Sequence, residues 1–322
     1  MPKIIPQHVL VYDVGGSHIS AALCSEDTYA LHGLTRAPLP AEFSVASFGR
    51  LIHTLGEHAA QLASKIAGPL QIPIAGACLA MPGPFDYENG ISHIQHKLHS
   101  LFEVDLKSAL ATRFDWKPDQ VRFVNDAAAF LLGEVGAGAA KGFSRAIGLT
   151  LGTGIGAAFA VDGHIVTSGA GVPPGGEMWN APYNGATVED FVSTRFLRSL
   201  YQTLTGLDAE VSVIADTAQG DQPCPEIDHT TKPDPNDAHC RARQAFLDFG
   251  RHLGLALNQH ASTFAPDVIV LGGGIARASQ LFLPATRKVL NAGIKAEIVI
   301  SALMDEAPLA GAGVHWFTSD PA

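Results

Sequence analysis

A carboxylate and a glycine-rich turn lie near each other in the middle of the chain, and both could carry out chemistry. An apolar run from Val121 to Val124 ends in Asn125-Asp126, and a second apolar run breaks at Gly152-Thr153-Gly154. A carboxylate held at the end of a strand can act as a general base. Successive bare backbone N–H groups in such a turn form a nest for an anion. A base and a phosphate cradle this close in sequence suggest phosphoryl transfer to a hydroxyl.

A second turn of the same kind lies near the start of the sequence. Residues 8–24 are predicted to form a strand, a tight turn at Gly15-Gly16 and another strand, the same layout as around Gly152. Two such hairpins in different halves of the chain suggest a duplicated architecture with one cradle per domain. The alternative, two ordinary hairpins, stays open at this point.

Length and composition limit the class of protein. The chain has 322 residues, and single cores usually stop growing near ~250–300 residues, so we expect two domains. The net charge of −10 and the absence of Lys/Arg runs argue against a nucleic-acid partner. The N-terminal stretch has no signal-peptide pattern, and no apolar segment approaches the ~20 residues that span a bilayer. We therefore expect a cytoplasmic protein with no membrane partner.

Cysteine and histidine spacing gives no metal signature. The four scattered cysteines, Cys24, Cys78, Cys224 and Cys240, are expected to be reduced thiols. Neither His93-His96-His99 nor the group Cys224, His229, His239 and Cys240 matches a standard zinc pattern. We expect no zinc site.

Hydrophobic periodicity predicts the elements that must position the reactive residues. Helices are predicted over 41–65, 191–204 and 240–262 and from about Pro308, and buried strands over 74–81, 268–271 and 297–302. The run from Thr187 to Asp190 has capping-box spacing, which predicts the start of the second of these helices. Strands alternating with helices indicate α/β layering.

Six motifs in order resemble a known family. Asp13 to Ser17 (DVGGS), Leu151 to Gly156 (LGTGIG) and Val270 to Gly274 (VLGGG) resemble the two phosphate motifs and the adenosine motif of the sugar-kinase/actin/heat-shock-ATPase fold. Met81 to Pro84 (MPGP), Asn125-Asp126 and Gly176-Glu177 narrow the resemblance to the ROK family of bacterial sugar kinases and related repressors, glucokinase-like.

The resemblance implies a fold and its boundaries. The expected fold is α/β, with two domains of duplicated ribonuclease H-like architecture and an interdomain cleft. The N-terminal domain would cover residues 1–124, joined by the C-terminal helix 307–322, and the larger C-terminal domain residues 125–306. A homodimer is compatible with the resemblance.

The resemblance also implies a role for each matching residue. Asp126 would be the general base, and Asp13 would orient Mg²⁺ through water. The residues that would bind the sugar are Asn125, Glu177, Asn180 and Glu189. The residues that would hold ATP are Gly15, Gly16, Ser17, Gly152, Thr153, Gly154, Gly272, Gly273 and Gly274. His96 or Lys97 would lie near the sugar.

Two departures from the family pattern bear on the substrate. Asn180 stands where the family usually has a sugar-binding histidine, and the stretch from Pro182 to Glu189 lacks the cysteines of the family's zinc motif. The expected reaction is ATP-dependent phosphorylation of a hexose 6-hydroxyl, glucose to glucose 6-phosphate. N-acetylmannosamine, N-acetylglucosamine or fructose are alternative substrates. A sugar-responsive regulator is a further alternative, disfavoured by the acidic charge and by the 12 residues that precede Asp13, too few for a DNA-binding module.

Several site residues also have purely structural interpretations. Asp126 could cap the helix that follows it, because aspartate is a good N-cap. Glu189 could serve only as a capping-box partner, and the two roles are compatible. Glu177 could be a solvated charge and Asn180 an ordinary loop residue.

Overall fold

The computed structural model describes residues 7–67, 73–95, 98–220, 224, 238–291 and 294–319. The chain forms two compact units, unit 1 (Met1–Gly142 with Ser301–Ala322) and unit 2 (Phe143–Ile300). Within the described residues, no helix combines the length and the apolar character that crossing a bilayer would need.

Strands and helices alternate along the chain. The strands are β1 (His8–Val14), β2 (His18–Ser25), β3 (Leu31–Pro38), β4 (Ile74–Met81), β5 (Phe85–Asp86), β6 (Ile91–Ser92), β7 (Val121–Asn125), β8 (Arg145–Leu151), β9 (Ile155–Val161), β10 (His164–Ile165), β11 (Pro182–Tyr183), β12 (Ala186–Thr187), β13 (Val268–Gly272) and β14 (Glu297–Ile300). The α-helices are α1 (Val45–Ala67), α2 (Leu106–Phe114), α3 (Asp126–Ala137), α4 (Thr194–Thr205), α5 (Val211–Ala218), α6 (Ala238–His260), α7 (Ser279–Val289) and α8 (Ala307–Thr318).

Each unit is built on a five-stranded sheet, and the two sheets have the same strand order. Unit 1 has the order β3-β2-β1-β4-β7, and unit 2 has the order β10-β9-β8-β13-β14. In both sheets the first three strands in chain order form an antiparallel meander, and the next two join in parallel. The duplication expected from the two glycine turns is confirmed.

Helices cover both faces of the unit 1 sheet. Along β1 the side chains alternate: the Tyr12 hydroxyl lies against Gly56 of α1, whereas Val11 points to Gly313 of α8. Both side chains are fully buried. A strand that is buried on both faces reads as a continuous apolar run, as this one does.

Helices α3 and α8 approach closely because glycines face each other's backbone. A Cβ atom on Gly311 would collide with the Ala129 carbonyl, and one on Gly133 would collide with the Ala307 carbonyl. The carboxylate of the fully buried Glu134, also on α3, accepts hydrogen bonds from Ala139 N (2.7 Å), Leu303 N (3.1 Å), Ala302 N (3.2 Å) and the Ser301 hydroxyl. Such donors offset the cost of burying a charge.

Unit 2 has its own core on one face of its sheet. Ile147 and Leu149 of β8 belong to one buried cluster with Phe246 and Phe249 of α6. Helix α7 packs closely on α6, because Gly250 lies against the Phe282 backbone.

The division between the units differs from the sequence prediction. The prediction placed the boundary after residue 124, but unit 1 continues to Gly142. The reason is α3, which packs on α8 and ties residues 139 and 301–303 to Glu134. Helix α8 belongs to unit 1 together with the segment from Ser301.

The predicted helix start at residues 187–190 is wrong. Asp190 accepts hydrogen bonds from the Thr187 N–H (3.1 Å) and hydroxyl (2.7 Å), but these close only a local turn. Helix α4 begins at Thr194, where the Ser193 hydroxyl accepts from Phe196 N (3.3 Å). The capping chemistry is present at both places, so the motif alone did not identify the helix.

The expectation of four reduced cysteines is wrong for one pair. Cys224 and Cys240 form a disulfide with their Cα atoms 5.2 Å apart. Cys240 lies in the first turn of α6, and a separation of 16 residues along the chain does not reveal this proximity. Cys24 and Cys78 are free and buried.

Candidate functional site

The predicted base and the predicted magnesium residue lie at one edge of the unit 1 sheet. In the parallel part of the sheet, Asp13 on β1 pairs with Ala80 on β4, and Met81 pairs with Asn125 on β7. Carboxyl ends of parallel strands therefore bring Asp13, Met81 and Asn125-Asp126 together. In open α/β sheets, ligands bind outside these strand ends.

Asn125, and not Asp126, caps helix α3. The Asn125 Oδ1 atom accepts a hydrogen bond from Ala128 N (3.0 Å), as an N-cap does. Asp126 is the first helical residue, and its Oδ1 accepts from Ala127 N (2.8 Å). The alternative that Asp126 serves as the cap is therefore wrong, and its partly buried carboxylate stands in the first turn, where the helix dipole favours an anion.

Tyr87 fixes the other end of the Asn125 amide, and sequence reasoning missed it. The Tyr87 hydroxyl accepts from Asn125 Nδ2 (3.0 Å) and donates to the Met81 carbonyl (3.2 Å). An amide can make four hydrogen bonds, so one N–H and one lone pair of Asn125 remain for a ligand. Only the fold brings Tyr87 here, and no motif marks it.

The electrostatics of this edge favour a cation. Burial, the nearby Asp126 carboxylate and, more weakly, Asp305 raise the pKa of Asp13 from 3.8 to about 7, while Arg36 opposes the rise. A divalent cation would relieve this repulsion. One carboxylate suits Mg²⁺, which keeps several of its waters and is often held by one or two carboxylates and by phosphates. The residues present therefore fit the magnesium role that the resemblance implies.

The first glycine turn connects β1 to β2 at the same edge. Gly15 N donates to the His18 carbonyl (2.9 Å), which closes the turn. Within the described part of the chain, the N–H groups of Gly16 and Ser17 meet no acceptor, and both residues are exposed. The turn thus has the bare N–H groups of an anion nest.

The second and third glycine segments share an edge of the unit 2 sheet. Gly272 pairs with Thr150 in the parallel β8–β13 register, so the turn at Gly152–Gly154 and the segment Gly272–Gly274 follow neighbouring strand ends. Among the residues that the structure describes, a Cβ atom on Gly152 or on Gly274 would meet no atom within 4 Å. The space beside these two glycines is open to a ligand.

Glu189 lies directly on the Gly152–Gly154 turn. Its Oε2 atom accepts from Ile155 N (3.3 Å), and a Cβ atom on Gly154 would collide with that oxygen. Because α4 starts only at Thr194, the interpretation of Glu189 as a capping-box partner is wrong. In the structure Glu189, which is predicted to bind the sugar, contacts the turn that is predicted to bind phosphate.

Glu177 precedes and Glu189 follows a short β-hairpin. Strands β11 and β12 pair around a turn at Asn184 and Gly185, both with positive φ, the pattern of a type I′ turn. The ladder continues toward the glutamates, because Glu189 N donates to the Trp179 carbonyl (3.2 Å). Glu177 accepts from the Trp179 indole N–H (2.7 Å), and Asn180 is exposed.

An aromatic cluster fastens this hairpin to α6. The Tyr183 hydroxyl and His252 Nδ1 are 2.9 Å apart, and the Phe191 ring centroid lies 4.8 Å from that of His252. Burial lowers the pKa of His252, with Asp248 opposing and Arg251 adding to the effect. A neutral His252 suits a hydrogen bond inside an apolar cluster.

The structure does not describe some of the residues that the sequence analysis singled out. His96 and Lys97 lie outside the described residues, as does His229. Among the residues that the structure describes, no group of three or more His, Cys, Asp or Glu side chains could hold a metal ion.

Two sheets of identical strand order, each with a glycine turn after an early strand, define the two-domain fold shared by sugar kinases, actin and heat-shock ATPases. The model of the ROK family matches residues 9–318. The chain belongs to the ROK family.

Similar proteins include both kinases and regulators. A glucokinase of Thermotoga maritima is 30% identical, with 97% of each chain covered. A ROK family glucokinase of Streptomyces griseus, solved with glucose and AMPPNP, has a TM-score of 0.68 at 19% identity over 95% of this chain and 98% of that one. A ROK family transcriptional regulator, a homologue of the E. coli MLC protein, has a TM-score of 0.72 at 18% identity over 96% and 77%. The structural likeness at these identities shows the fold alone.

Proposed function

We propose that the protein is an ATP-dependent sugar kinase that phosphorylates the 6-hydroxyl of a hexose, with glucose as the preferred substrate. The observation that carries the proposal is the Asp126 carboxylate at the start of α3, at the same strand edge as Asp13. The 30% identity to a glucokinase along nearly the whole chain supports the same reaction.

In this proposal Asp126 accepts the proton of the attacking sugar hydroxyl. Its backbone is fixed because Asn125 caps the helix and Tyr87 holds the Asn125 amide. The remaining N–H and lone pair of Asn125 bind neighbouring hydroxyls. A positioned base typically contributes ~10²–10⁴-fold to the rate.

The glycine turns hold the phosphates of ATP. Within the described residues, the N–H groups of Gly16 and Ser17 in one turn and of Thr153 and Gly154 in the other meet no acceptor, so each turn can donate to phosphate oxygens, and the space beside Gly152 and Gly274 can admit a nucleotide. Mg²⁺, held by Asp13 through water, would neutralise charge on the transferred phosphate. Glu177, Asn180 and Glu189 orient the sugar, since carboxylate and amide groups accept or donate in fixed directions.

Asp126→Asn tests the assignment of the base. Turnover should fall by about 10²–10⁴-fold, because the amide cannot accept the proton. The sugar dissociation constant, measured by calorimetry, and the melting temperature should change little. Asp119→Asn, at an exposed aspartate of unit 1, is the matched control and should keep wild-type turnover. Turnover of Asp126→Asn within tenfold of wild type would contradict the proposal.

A different sugar is the second candidate, and Asn180 is the observation that favours it. The side chain is exposed and makes no hydrogen bond within the described residues, so it is available to a ligand. It is shorter than histidine and neutral. A coupled assay over glucose, mannose, fructose, N-acetylglucosamine and N-acetylmannosamine decides the question. A kcat/KM for glucose at least tenfold above the others supports glucose, and any other ranking replaces it.

A further inference from the structure

Trp179 links the two glutamates of the hairpin and leaves its ring in solvent. Its indole N–H donates to Glu177 Oε2 (2.7 Å), and its carbonyl accepts from Glu189 N (3.2 Å). The side chain is 46% exposed, whereas Trp116 and Trp316 are both partly buried. Trp179 is the most exposed tryptophan of the chain.

The backbone around this ring is fixed although the residue is 46% exposed. Met178 is fully buried on one side and Ala181 is buried on the other, and Ala181 N donates to the Met178 carbonyl (3.1 Å). With both its backbone and its N–H held, the indole has little freedom to turn. An exposed aromatic face in a preset orientation beside the Glu177 carboxylate is the composition of a ligand site, in which apolar surface is combined with a few directed polar groups.

We propose that Trp179 is a sugar-binding residue, an inference that rests on the proposed function. The exposed face of the indole packs against the C–H face of the hexose ring. The indole N–H holds one carboxylate oxygen of Glu177, so the other oxygen accepts a sugar hydroxyl in a fixed direction.

The ring and the N–H make separable contributions, so two variants distinguish them. Trp179→Phe keeps an aromatic face and loses the N–H, and it should raise the KM for the hexose about 5-fold to 10-fold. Trp179→Ala loses both and should raise this KM about 50-fold to 100-fold. The kcat should stay within about twofold and the KM for ATP should not change, because both contacts bind ground state and transition state alike.

Trp116→Phe is the matched control. Trp116 belongs to unit 1, where it stacks on Phe114 with ring centroids 4.4 Å apart, whereas Trp179 belongs to unit 2. Replacement of Trp116 should leave the KM for the hexose unchanged. A rise equal to that of Trp179→Phe would mean that the effect is a general loss of aromatic packing, and would overturn the assignment.

Tryptophan emission gives a readout that does not depend on turnover. Hexose is titrated into the full-length protein without ATP, and acrylamide quenching is measured at each step. Wild type and Trp116→Phe should show a blue shift and reduced quenching, and Trp179→Phe should show neither. A sugar response that persists in Trp179→Phe overturns the proposal.

Failure of this inference and failure of the proposed function give different results. A wild-type protein that phosphorylates none of the hexoses contradicts the proposed function, and the emission titration then decides by itself whether Trp179 contacts sugar. A wild-type protein that phosphorylates a hexose, with unchanged KM in both Trp179 variants and no emission change, overturns only the role of Trp179.

Discussion

At the residue scale, neighbouring side chains divide structural and chemical tasks. Asn125 supplies the helix cap and Asp126 the first-turn carboxylate, so the helix start does not depend on Asp126. The sequence predicted this pair, because both residues follow an apolar run. It could not predict Tyr87 or the Trp179–Glu177 hydrogen bond, since each depends on a backbone path that no local pattern encodes.

Asp13→Asn should stabilise the protein in the absence of ligands. The folded state raises the pKa of Asp13 from 3.8 to about 7, so it binds the proton more tightly than the unfolded state. The stabilisation from this proton is complete below pH 3.8 and is lost as the pH rises through about 7. Urea unfolding between pH 4 and pH 8 should therefore show a variant whose advantage over wild type grows with pH.

Asp305→Asn provides the graded control for this experiment. It removes one of the two like charges that raise the pKa of Asp13, so it should give a smaller gain with the same sign. An Asp13→Asn variant that is less stable than wild type at pH 8 would show that the carboxylate is stabilised by its surroundings.

Two alanine substitutions in one turn should have different effects. Gly154→Ala places a methyl group where the Glu189 oxygen lies, so the carboxylate must move away and the KM for sugar should rise by at least about tenfold. Gly152→Ala meets open space, so it should leave the melting temperature unchanged while raising the KM for ATP. Steady-state kinetics and thermal melts measure both, and identical behaviour of the two variants would contradict this account.

At the element scale, sequence patterns identified the strands and long helices but not the hairpin that carries the glutamates. The signal for this hairpin is Asn184-Gly185, flanked by Tyr183 and Ala186, because an Asn-Gly pair favours a two-residue hairpin turn. The capping-box motif at Thr187 shows the opposite error, because this local signal predicts a helix start that the structure does not have. Its hydrogen bonds form, yet the chain turns instead of starting a helix, because Ser193 supplies the cap six residues later.

The α3–α8 contact predicts opposite outcomes for two helical glycines. Gly311→Ala would drive a methyl group into the Ala129 carbonyl and should destabilise the protein by about 1–3 kcal/mol. In α1, the methyl group of Gly49→Ala would meet no described atom within 4 Å, and this variant should stabilise the protein by about 0.5–1 kcal/mol. Chemical denaturation of both variants tests the pair. Equal effects would mean that helix propensity, and not the close approach of α3 and α8, decides the outcome.

At the scale of the whole molecule, the repeated glycine turns predicted the architecture because each unit needs the same meander and the same parallel strands around its turn. The sequence did not locate the division between the units. That division depends on the packing of α3 against α8, which lie far apart in the chain and are brought together only in the fold.

The net charge of the chain bears on the alternative that the protein is a DNA-binding regulator. A net charge of −10 disfavours DNA binding, because contacts of Lys and Arg with phosphates supply much of the affinity for DNA. Fluorescence anisotropy with a mixed-sequence duplex should show no binding up to about 10 µM protein at physiological salt. A dissociation constant below about 1 µM that weakens with added salt would favour the regulator.

The buried Glu134 carboxylate connects the two segments of unit 1, which are far apart in the sequence. Unit 2 is an insertion into unit 1: the polypeptide departs shortly after Ala139 and re-enters at Ser301, and both passages donate to the same carboxylate, Ala139 N to Oε2 and the Ser301 hydroxyl to Oε1. One acidic side chain thus holds the two segments of unit 1 together. The first unit keeps a continuous hydrogen-bonded framework across a break of 158 residues, from Phe143 to Ile300.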